Sequence, residues 1–454
     1  MAPAGAIPSV AADPMLAAAA IRAPAHTVPG ATSPATSGFA VRPAARSSSL
    51  SRKSFDHPTE SWLAAVEATA RAASAGPAPR ATVAAPIRTV TLAPGTAWAA
   101  RTRAPIVDTR ESSRSAARVV DTPRMIVNRP GEPSYAGPGT TFCKTPLVLD
   151  PRDLEGVDVA ILGAPIDETV SNRPGARYGP RAIRQADVGG GIPPSRPNMD
   201  VGLDPFEVLR VVDYGDAEVV AADAERSHAA LKRAVWEILE AGAVPVVLGG
   251  DHSIAHPNVG AAAEHLRPRS VGIIHFDAHA DDAESLQGVR RSHGTPMRLL
   301  VEEGSVRGEH IVQVGLRGYW PDPEDFDWAR GQGFRWHLME DVVERGLDAV
   351  LDDVVAAAGA SDETWLSLDI DVIDPAHAPG TGTPEPGGIT AAEMLRAARR
   401  LGHEVGFCGM EVVEVSPPYD NADITAMLAH RIVLEALSGL ALRRQGGEPA
   451  PQRP

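Results

Sequence analysis

The chain has 454 residues, 43 of them Lys or Arg against 58 Asp or Glu, for a formal net charge of −15. Two cysteines, Cys143 and Cys408, exclude a disulfide scaffold and a four-cysteine zinc site, and they suit a reducing compartment. No uninterrupted apolar run approaches the roughly 18 residues of a transmembrane helix, and Met1 lacks the basic n-region of a secretory signal.

The charge is unevenly placed. Residues 1–124 carry 13 Arg and 1 Lys against 7 acids, whereas 125–454 carry 29 basic residues against 51 acids. The first 50 residues include 16 Ala and 7 Pro, with Asp13 as the only acid. Such a segment has too little large apolar surface to offset the entropy of folding, so 1–124 is expected to be a disordered basic lead. Three explanations stand open for it: an organelle transit peptide, a basic interaction tail, or an over-long translation. Its arginines are scattered without interleaved aromatics, so no nucleic-acid partner is expected, nor a membrane one. The location expected is the cytoplasm, or an organelle if the lead is a transit peptide. Residues 125–445 are expected to form one catalytic domain, followed by a polar tail over 446–454.

From Met125 onward the pattern is regular. Short β-branched apolar runs recur at Val157 to Leu162, Val208 to Val212, Val244 to Leu248, Val271 to Phe276, His310 to Val314, Phe334 to His337, Trp365 to Ile370 and Val405 to Val415. Their continuous apolar character predicts strands covered on both faces. Helical patterns lie between them, over Asp223 to Glu240, Glu340 to Ala357, Thr390 to Leu401 and Ala422 to Leu442. The alternation predicts an α/β fold built on a parallel sheet.

Three predicted strands end in polar residues that a core would not tolerate. Val244 to Leu248 runs into Gly249-Gly250-Asp251-His252-Ser253. Val271 to Phe276 runs into Asp277-Ala278-His279-Ala280-Asp281. Trp365 to Leu368 runs into Asp369-Ile370-Asp371. Ligands of parallel sheets bind at such carboxyl ends. Residues i and i+2 of an extended chain share a side, so Asp277, His279 and Asp281 are expected to point together, as are Asp369 and Asp371. Four converging carboxylates repel one another unless their pKa values rise or cations sit among them. Two His with four Asp favour a borderline metal such as Mn²⁺ over a thiolate-type zinc site.

These three stretches resemble the signatures of the ureohydrolase (arginase/agmatinase) family. Arg173-Pro174-Gly175-Ala176-Arg177-Tyr178-Gly179-Pro180-Arg181-Ala182-Ile183-Arg184 resembles its early loop, and Asp374-Pro375 with Ala378-Pro379-Gly380-Thr381-Gly382-Thr383-Pro384 the segment after its third signature. The likeness spans roughly Tyr135 to Leu442. It implies a three-layer αβα sandwich on a mainly parallel eight-stranded sheet. It also implies two Mn²⁺ per subunit, with Ni²⁺ as an alternative. His252, Asp277, Asp281 and Asp369 would hold one ion, and Asp277, His279, Asp369 and Asp371 the other. A hydroxide between the ions, oriented by Asp281, would attack the guanidinium carbon of a small guanidino substrate, giving urea and an amine. His293, in Ser292-His293-Gly294, matches the family's mobile shuttle histidine, and Glu414 the carboxylate that grips the guanidinium. The family usually carries Asp where this chain has Glu411, which puts that supporting role in doubt. His275 and Cys408 are expected to be core residues without a role. A homo-oligomer, trimer or hexamer, is implied as well.

The substrate is less legible. Arg291 stands where arginases carry an Asn, and Asp282 to Ser292 looks more like agmatinases and guanidinobutyrases. Arg290 and Arg291 would pair a carboxylate tail if they faced the pocket, and Asp282 and Glu284 would serve an amine. The reading is an agmatinase-type hydrolase, with a guanidinobutyrase or other guanidino-acid or guanidine hydrolase as the alternative. Arginase, a single-zinc deacetylase and a non-catalytic scaffold are less favoured.

Overall fold

The structure, a computed structural model, describes residues 141–186 and 197–446. The basic lead over 1–124 and the tail beyond Gly446 lie outside the described residues.

Eight strands form one all-parallel sheet: β1 Val159–Ala164, β2 Val211–Asp216, β3 Val244–Gly249, β4 Val271–Phe276, β5 Ile311–Leu316, β6 Arg335–Leu338, β7 Glu363–Asp369 and β8 Gly409–Val413. Their order across the sheet is β2-β1-β3-β8-β7-β4-β5-β6. Every residue of β1, β4, β5 and β8 is buried. That is the burial which continuous rather than alternating apolar runs foreshadow.

The helices are α1 Gly179–Gln185, α2 Pro205–Val208, α3 Ala224–Glu240, α4 Ala255–His265, α5 Pro296–Glu302, α6 Pro323–Gln332, α7 Met339–Arg345, α8 Leu347–Ala358, α9 Ala391–Glu404 and α10 Ile424–Gln445. Two cores flank the sheet. On one face Ile161, Leu248, Phe276 and Met410 pack with Val350, Met394 and Ile432 of α8, α9 and α10. On the other, Leu162, Val247, Trp365 and Val413 pack with Leu231, Val235 and Val259 of α3 and α4. The architecture is the three-layer αβα sandwich expected.

Local signals explain most element ends. Asp223 accepts the Arg226 N–H and caps α3. Thr390 and Glu393 form a reciprocal capping box on α9. The single helix expected over 340–357 is instead two, broken at Gly346, whose φ of 79° ends α7 before α8 begins. The strand expected at 208–212 starts three residues later, because Asp204 caps the short turn α2 and accepts from the Phe206 N–H. Helix α4 escapes the periodicity reading: it carries Pro257 and Gly260 and buries nearly all its faces. Helix α10 is long and apolar enough to cross a membrane by length and composition, yet 78% of its apolar 18-residue stretch is buried inside the protein, so it serves as a core helix.

Candidate active site

The carboxyl ends of the four central strands, β3, β8, β7 and β4, converge, and the polar residues foreseen there meet. Gly250 makes the approach possible: a Cβ at that position would sit 2.0 Å from the Ile166 carbonyl oxygen. Beyond it Asp251 accepts the Ser253 N–H at 3.1 Å and starts the turn that carries His252. The Glu414 N–H donates to the Gly250 carbonyl at 2.8 Å, which brings the end of β8 beside that turn.

The aspartates are aimed differently from the expectation of an extended chain. Strand β4 ends at Phe276 and β7 at Asp369, so the i, i+2 pairs lie in turns. Asp277 Oδ1 accepts the His279 N–H at 2.6 Å, and Asp369 Oδ1 accepts the Asp371 N–H at 2.8 Å. Asp371 Oδ1 accepts the Ala278 N–H at 3.1 Å. One oxygen of each carboxylate is thus spent on backbone, and the other is left for the cluster. Asp281 reaches it from a left-handed backbone at φ 50°, and Glu414 likewise at φ 62°. Such strain is characteristic of sites that are over-determined by their surroundings.

His252 decides what the cluster can hold. Its Nδ1 lies 3.0 Å from Asp277 Oδ2, 3.0 Å from Asp281 Oδ2 and 3.1 Å from Asp369 Oδ2. Its Nε2 lies 2.9 Å from Ser367 Oγ, which itself donates to Glu411 Oε1 at 2.8 Å. Because the serine proton goes to Glu411, Ser367 accepts from Nε2–H, and Nδ1 presents its lone pair to three carboxylates. That nitrogen has no hydrogen-bond partner of adequate geometry. A lone pair ringed by anionic oxygens is stable only with a cation between them, either a proton or a metal ion. Beside it, His279 Nδ1 lies 3.0 Å from Asp371 Oδ2 and 3.5 Å from Asp277 Oδ1. His252 thus meets Asp277, Asp281 and Asp369, and His279 meets Asp277 and Asp371. Imidazole and carboxylate donors without thiolates suit a borderline divalent cation.

The electrostatics agree. Burial pulls His279 down, but Asp371 and Asp277 raise it to about 12. Burial and then the Asp371 and Asp277 charges push Asp369 well above the usual carboxylate range. Asp277 is penalised by burial as well, yet His252, His275 and His279 hold it well below that range.

Several residues at the site carried no sequence signal. His275, expected to be inert core, bonds through Nε2 to Asp277 Oδ2 at 2.8 Å and takes a hydrogen bond from Gln313 Nε2 on Nδ1 at 3.0 Å. Both ring nitrogens are engaged, so His275 steers Asp277 and has no lone pair free for a metal, although three donors of His252, His275 and Asp277 come close together. Glu411, whose role was in doubt, is fully buried and holds Ser367, while Asn258 Nδ2 donates to its second oxygen at 2.6 Å.

His293 and Glu414 form a pair at 3.2 Å, Nδ1 to Oε1. Glu414 also accepts the His252 N–H at 2.9 Å through Oε1, whereas its Oε2 is buried without a partner. Ser171 meets His293 Nε2 twice, with its N–H at 3.1 Å and its hydroxyl at 2.9 Å. The N–H can donate to a bare nitrogen and the hydroxyl can accept from a protonated one, so Ser171 suits both states of the ring. Burial lowers the His293 imidazole, but Glu414, helped by Asp281 and Asp251, raises it to about 9 from an ordinary 6.5. A raised folded pKa adds stability that is full below 6.5 and is lost as pH rises through about 9. Metal-free His293→Asn should therefore lose less stability than the parent between pH 6 and pH 10 in urea denaturation. An identical decline would show that the pair is not its source.

A cavity of about 190 Å³ opens over this cluster, walled by Ser171, His279, Asp281, His293, Trp320 and Asp369, with Leu286, Gly294 and Thr383 completing it. Arg290 and Arg291 do not line it. They pair with Glu302 and Glu303, and both are about half exposed. Nor do Asp282 and Glu284: Glu284 is exposed, and Asp282 is buried away from the wall, its carboxyl pushed up to about 7 by burial and by Asp325.

The family model described as Arginase family matches residues 157–439. The chain belongs to the arginase family. With it the chain joins the hydrolases that act on guanidino compounds. Among arginase-family relatives it is 38% identical over 331 residues to the mitochondrial guanidino acid hydrolase of Homo sapiens, covering 73% of this chain and 90% of that one. It is 39% identical over 288 residues to the mitochondrial agmatinase of Gallus gallus, covering 62% and 81%. The solved proclavaminate amidinohydrolase of Streptomyces clavuligerus superposes with a TM-score of 0.61 at 36% identity, over 69% of this chain and all of that one.

Proposed function

We propose that the protein is an agmatinase-type hydrolase with a binuclear manganese centre, which releases urea from agmatine or a related small guanidino compound. The observation that carries this reading is the buried, unpartnered Oε2 of Glu414 beside the His252–aspartate cluster. A buried carboxylate oxygen without a donor is costly, and a guanidinium supplies a planar fork of donors that a carboxylate accepts bidentately.

His252, Asp277, Asp281 and Asp369 would hold one ion, and Asp277, His279, Asp369 and Asp371 the other. Bound there, two divalent ions supply the Lewis acidity that turns water into a nucleophile at neutral pH. Glu414 grips the guanidinium as His293 leaves its carboxylate. Asp281 orients the attacking water. Water adds at the guanidinium carbon, the bond to the substituted nitrogen breaks as that nitrogen takes a proton from His293 and departs as the amine, and the proton shed by the water oxygen restores His293 and leaves urea. Ser171 serves His293 before and after that transfer.

The wall supports an amine or neutral tail over a carboxylate. Among the described residues no Lys or Arg lines the cavity, and Trp320 offers an aromatic ring that attracts a cation. The guanidino-acid reading rests on the likeness to the human guanidino acid hydrolase, at 38% identity. A urea assay on agmatine, arginine, 3-guanidinopropionate, 4-guanidinobutyrate and guanidine decides between them. Agmatine should lead, and no urea from any compound with Mn²⁺ or Ni²⁺ would end the reading. The same panel on residues 125–454 should give the activity of the full chain if the catalytic domain begins near Met125. A cytoplasmic homo-oligomer, trimer or hexamer, goes with this proposal, as does organelle import if the lead is a transit peptide.

Trp320 also sets the room for the tail. A Cβ at Gly294 would lie 3.1 Å from its Cη2 and 3.5 Å from Leu286 Cδ2. Gly294→Ala should press the indole into the cavity and raise KM for agmatine about tenfold, roughly 1–2 kcal/mol of overpacking, with little change for guanidine. Equal effects on both compounds would remove Trp320 as a tail wall.

A further inference from the structure

Arg317 follows β5 and forms no ion pair among the described residues, although its guanidinium is half-buried. Every side-chain donor ends on backbone. Nη2 donates to the Asp371 carbonyl at 2.7 Å and to that of Glu385 at 2.6 Å. Nη1 donates to Val372 at 3.2 Å and to Gly315 at 3.1 Å. Nε reaches Pro386 at 3.1 Å and Glu385 at 3.3 Å. Its own N–H closes on the Ala278 carbonyl at 3.0 Å. One residue thus ties together the bend that carries Asp277 and His279, the end of β5, the turn that carries Asp371, and the loop at 385–386.

We propose that Arg317 is a positioning residue for one half of the metal centre, the half formed by Asp277, His279 and Asp371. The proposal rests on the binuclear reading above. Asp371 is aimed by two backbone relations: its carboxylate accepts the Ala278 N–H, and its carbonyl is held by Arg317. Arg317 grips both ends of that arrangement, Ala278 through its backbone and Asp371 through its side chain. His252, Asp281 and Asp369 are not among its partners, and Asp277, which would serve both ions, is approached only through the Arg317 backbone N–H on Ala278, which a side-chain substitution keeps. Only a planar fork can satisfy five carbonyl oxygens spread over three segments; an ammonium presents one donor atom. Charge argues the opposite way. The Arg317 cation lies close enough to Asp371 and Asp277 to interact with them, and a positive neighbour weakens binding of a second cation. Loss of the side chain therefore loosens metal if its role is positioning, and tightens metal if its role is charge.

The test is Mn²⁺ titration of the metal-stripped protein, with free Mn²⁺ read by electron paramagnetic resonance and bound metal by elemental analysis. The parent should bind two ions per chain. Arg317→Met should keep one at parental affinity and bind the other about 10–100-fold more weakly, the cost of losing an outer-shell partner. Its single-ion form should give an uncoupled Mn²⁺ spectrum. Arg317→Lys, which keeps the charge without the fork, should show most of the same loss, and it carries the test if the Met variant does not fold. On a His279→Asn background, which already lacks this half, Arg317→Met should cost the remaining ion less than threefold. Two ions held by Arg317→Met at unchanged or tighter affinity, or equal weakening of both, would overturn the proposal. A parent that binds fewer than two ions would instead overturn the binuclear reading.

Discussion

On the proposed agmatinase reading, Glu414→Gln should lower kcat/KM for agmatine about 10²–10³-fold, and the variant should still fold and bind metal. Glutamine keeps a carbonyl oxygen to accept the His252 N–H, which Glu414 Oε1 accepts at 2.9 Å, so the turn carrying His252 is preserved. What is lost is the charge facing the guanidinium. Removing one member of a buried, hydrogen-bonded charge pair costs about 2–5 kcal/mol, and each 1.36 kcal/mol is a factor of ten in rate. The loss should fall on KM and kcat together, because the same carboxylate binds the ground state and positions the carbon for attack. Steady-state urea release, with metal content measured on the same samples, checks it. A variant within threefold of the parent would place the guanidinium elsewhere.

Asp369→Asn should act with opposite sign on the metal-free and metal-loaded protein. Burial and the Asp371 and Asp277 charges raise the Asp369 carboxyl well above its ordinary 3.8. A raised carboxylate destabilises the fold progressively as pH climbs above that ordinary value. Without metal, asparagine removes this repulsion, and the melting temperature at pH 7 should rise by a few degrees, about 1 kcal/mol. With saturating Mn²⁺ the order reverses, because ligand binding stabilises by the logarithm of ligand concentration over Kd, about 2.7 kcal/mol at a hundredfold excess. Asp369 faces His252 at 3.1 Å and would be shared by both ions, so its loss should weaken metal more than about 100-fold, beyond the range for an outer-shell partner. Urea release should fall with it. Melting curves with chelator and with Mn²⁺ test both halves, and a variant that gains as much from Mn²⁺ as the parent would remove Asp369 from the centre.

Much of this site was legible because its residues break a local rule. Asp277, Asp281, Asp369 and Asp371 stand at the ends of apolar runs where a core accepts no unpaired charge, and that conflict is visible in one dimension. His293 and Glu414 were found by resemblance, since a histidine in a loop and a glutamate after a strand break no rule. His275, Asn258 and Gln313 gave no signal. Each sits in an ordinary strand or helix pattern, and its role exists only because the sheet order places β4 between β7 and β5, and β8 beside β7. Whether the arginines at 290 and 291 face the pocket stays open in the sequence for the same reason. Loop residues next to a site in sequence pair with a helix twelve positions on, and only the packing of α5 turns them to Glu302 and Glu303.

The lopsided charge divides along the same line. Composition alone separates a basic stretch over 1–124 from an acidic stretch of recurring strand and helix patterns. The run-and-helix alternation determined the parallel sheet, since only strands covered on both faces are apolar throughout. Tertiary structure decided the rest: which oxygen of each aspartate is spent on backbone, which tautomer His252 adopts through Ser367 and Glu411, and which guanidinium holds Asp371 in place. Those are matters of direction, and a hydrogen bond acquires its direction only when segments far apart in sequence are packed against each other.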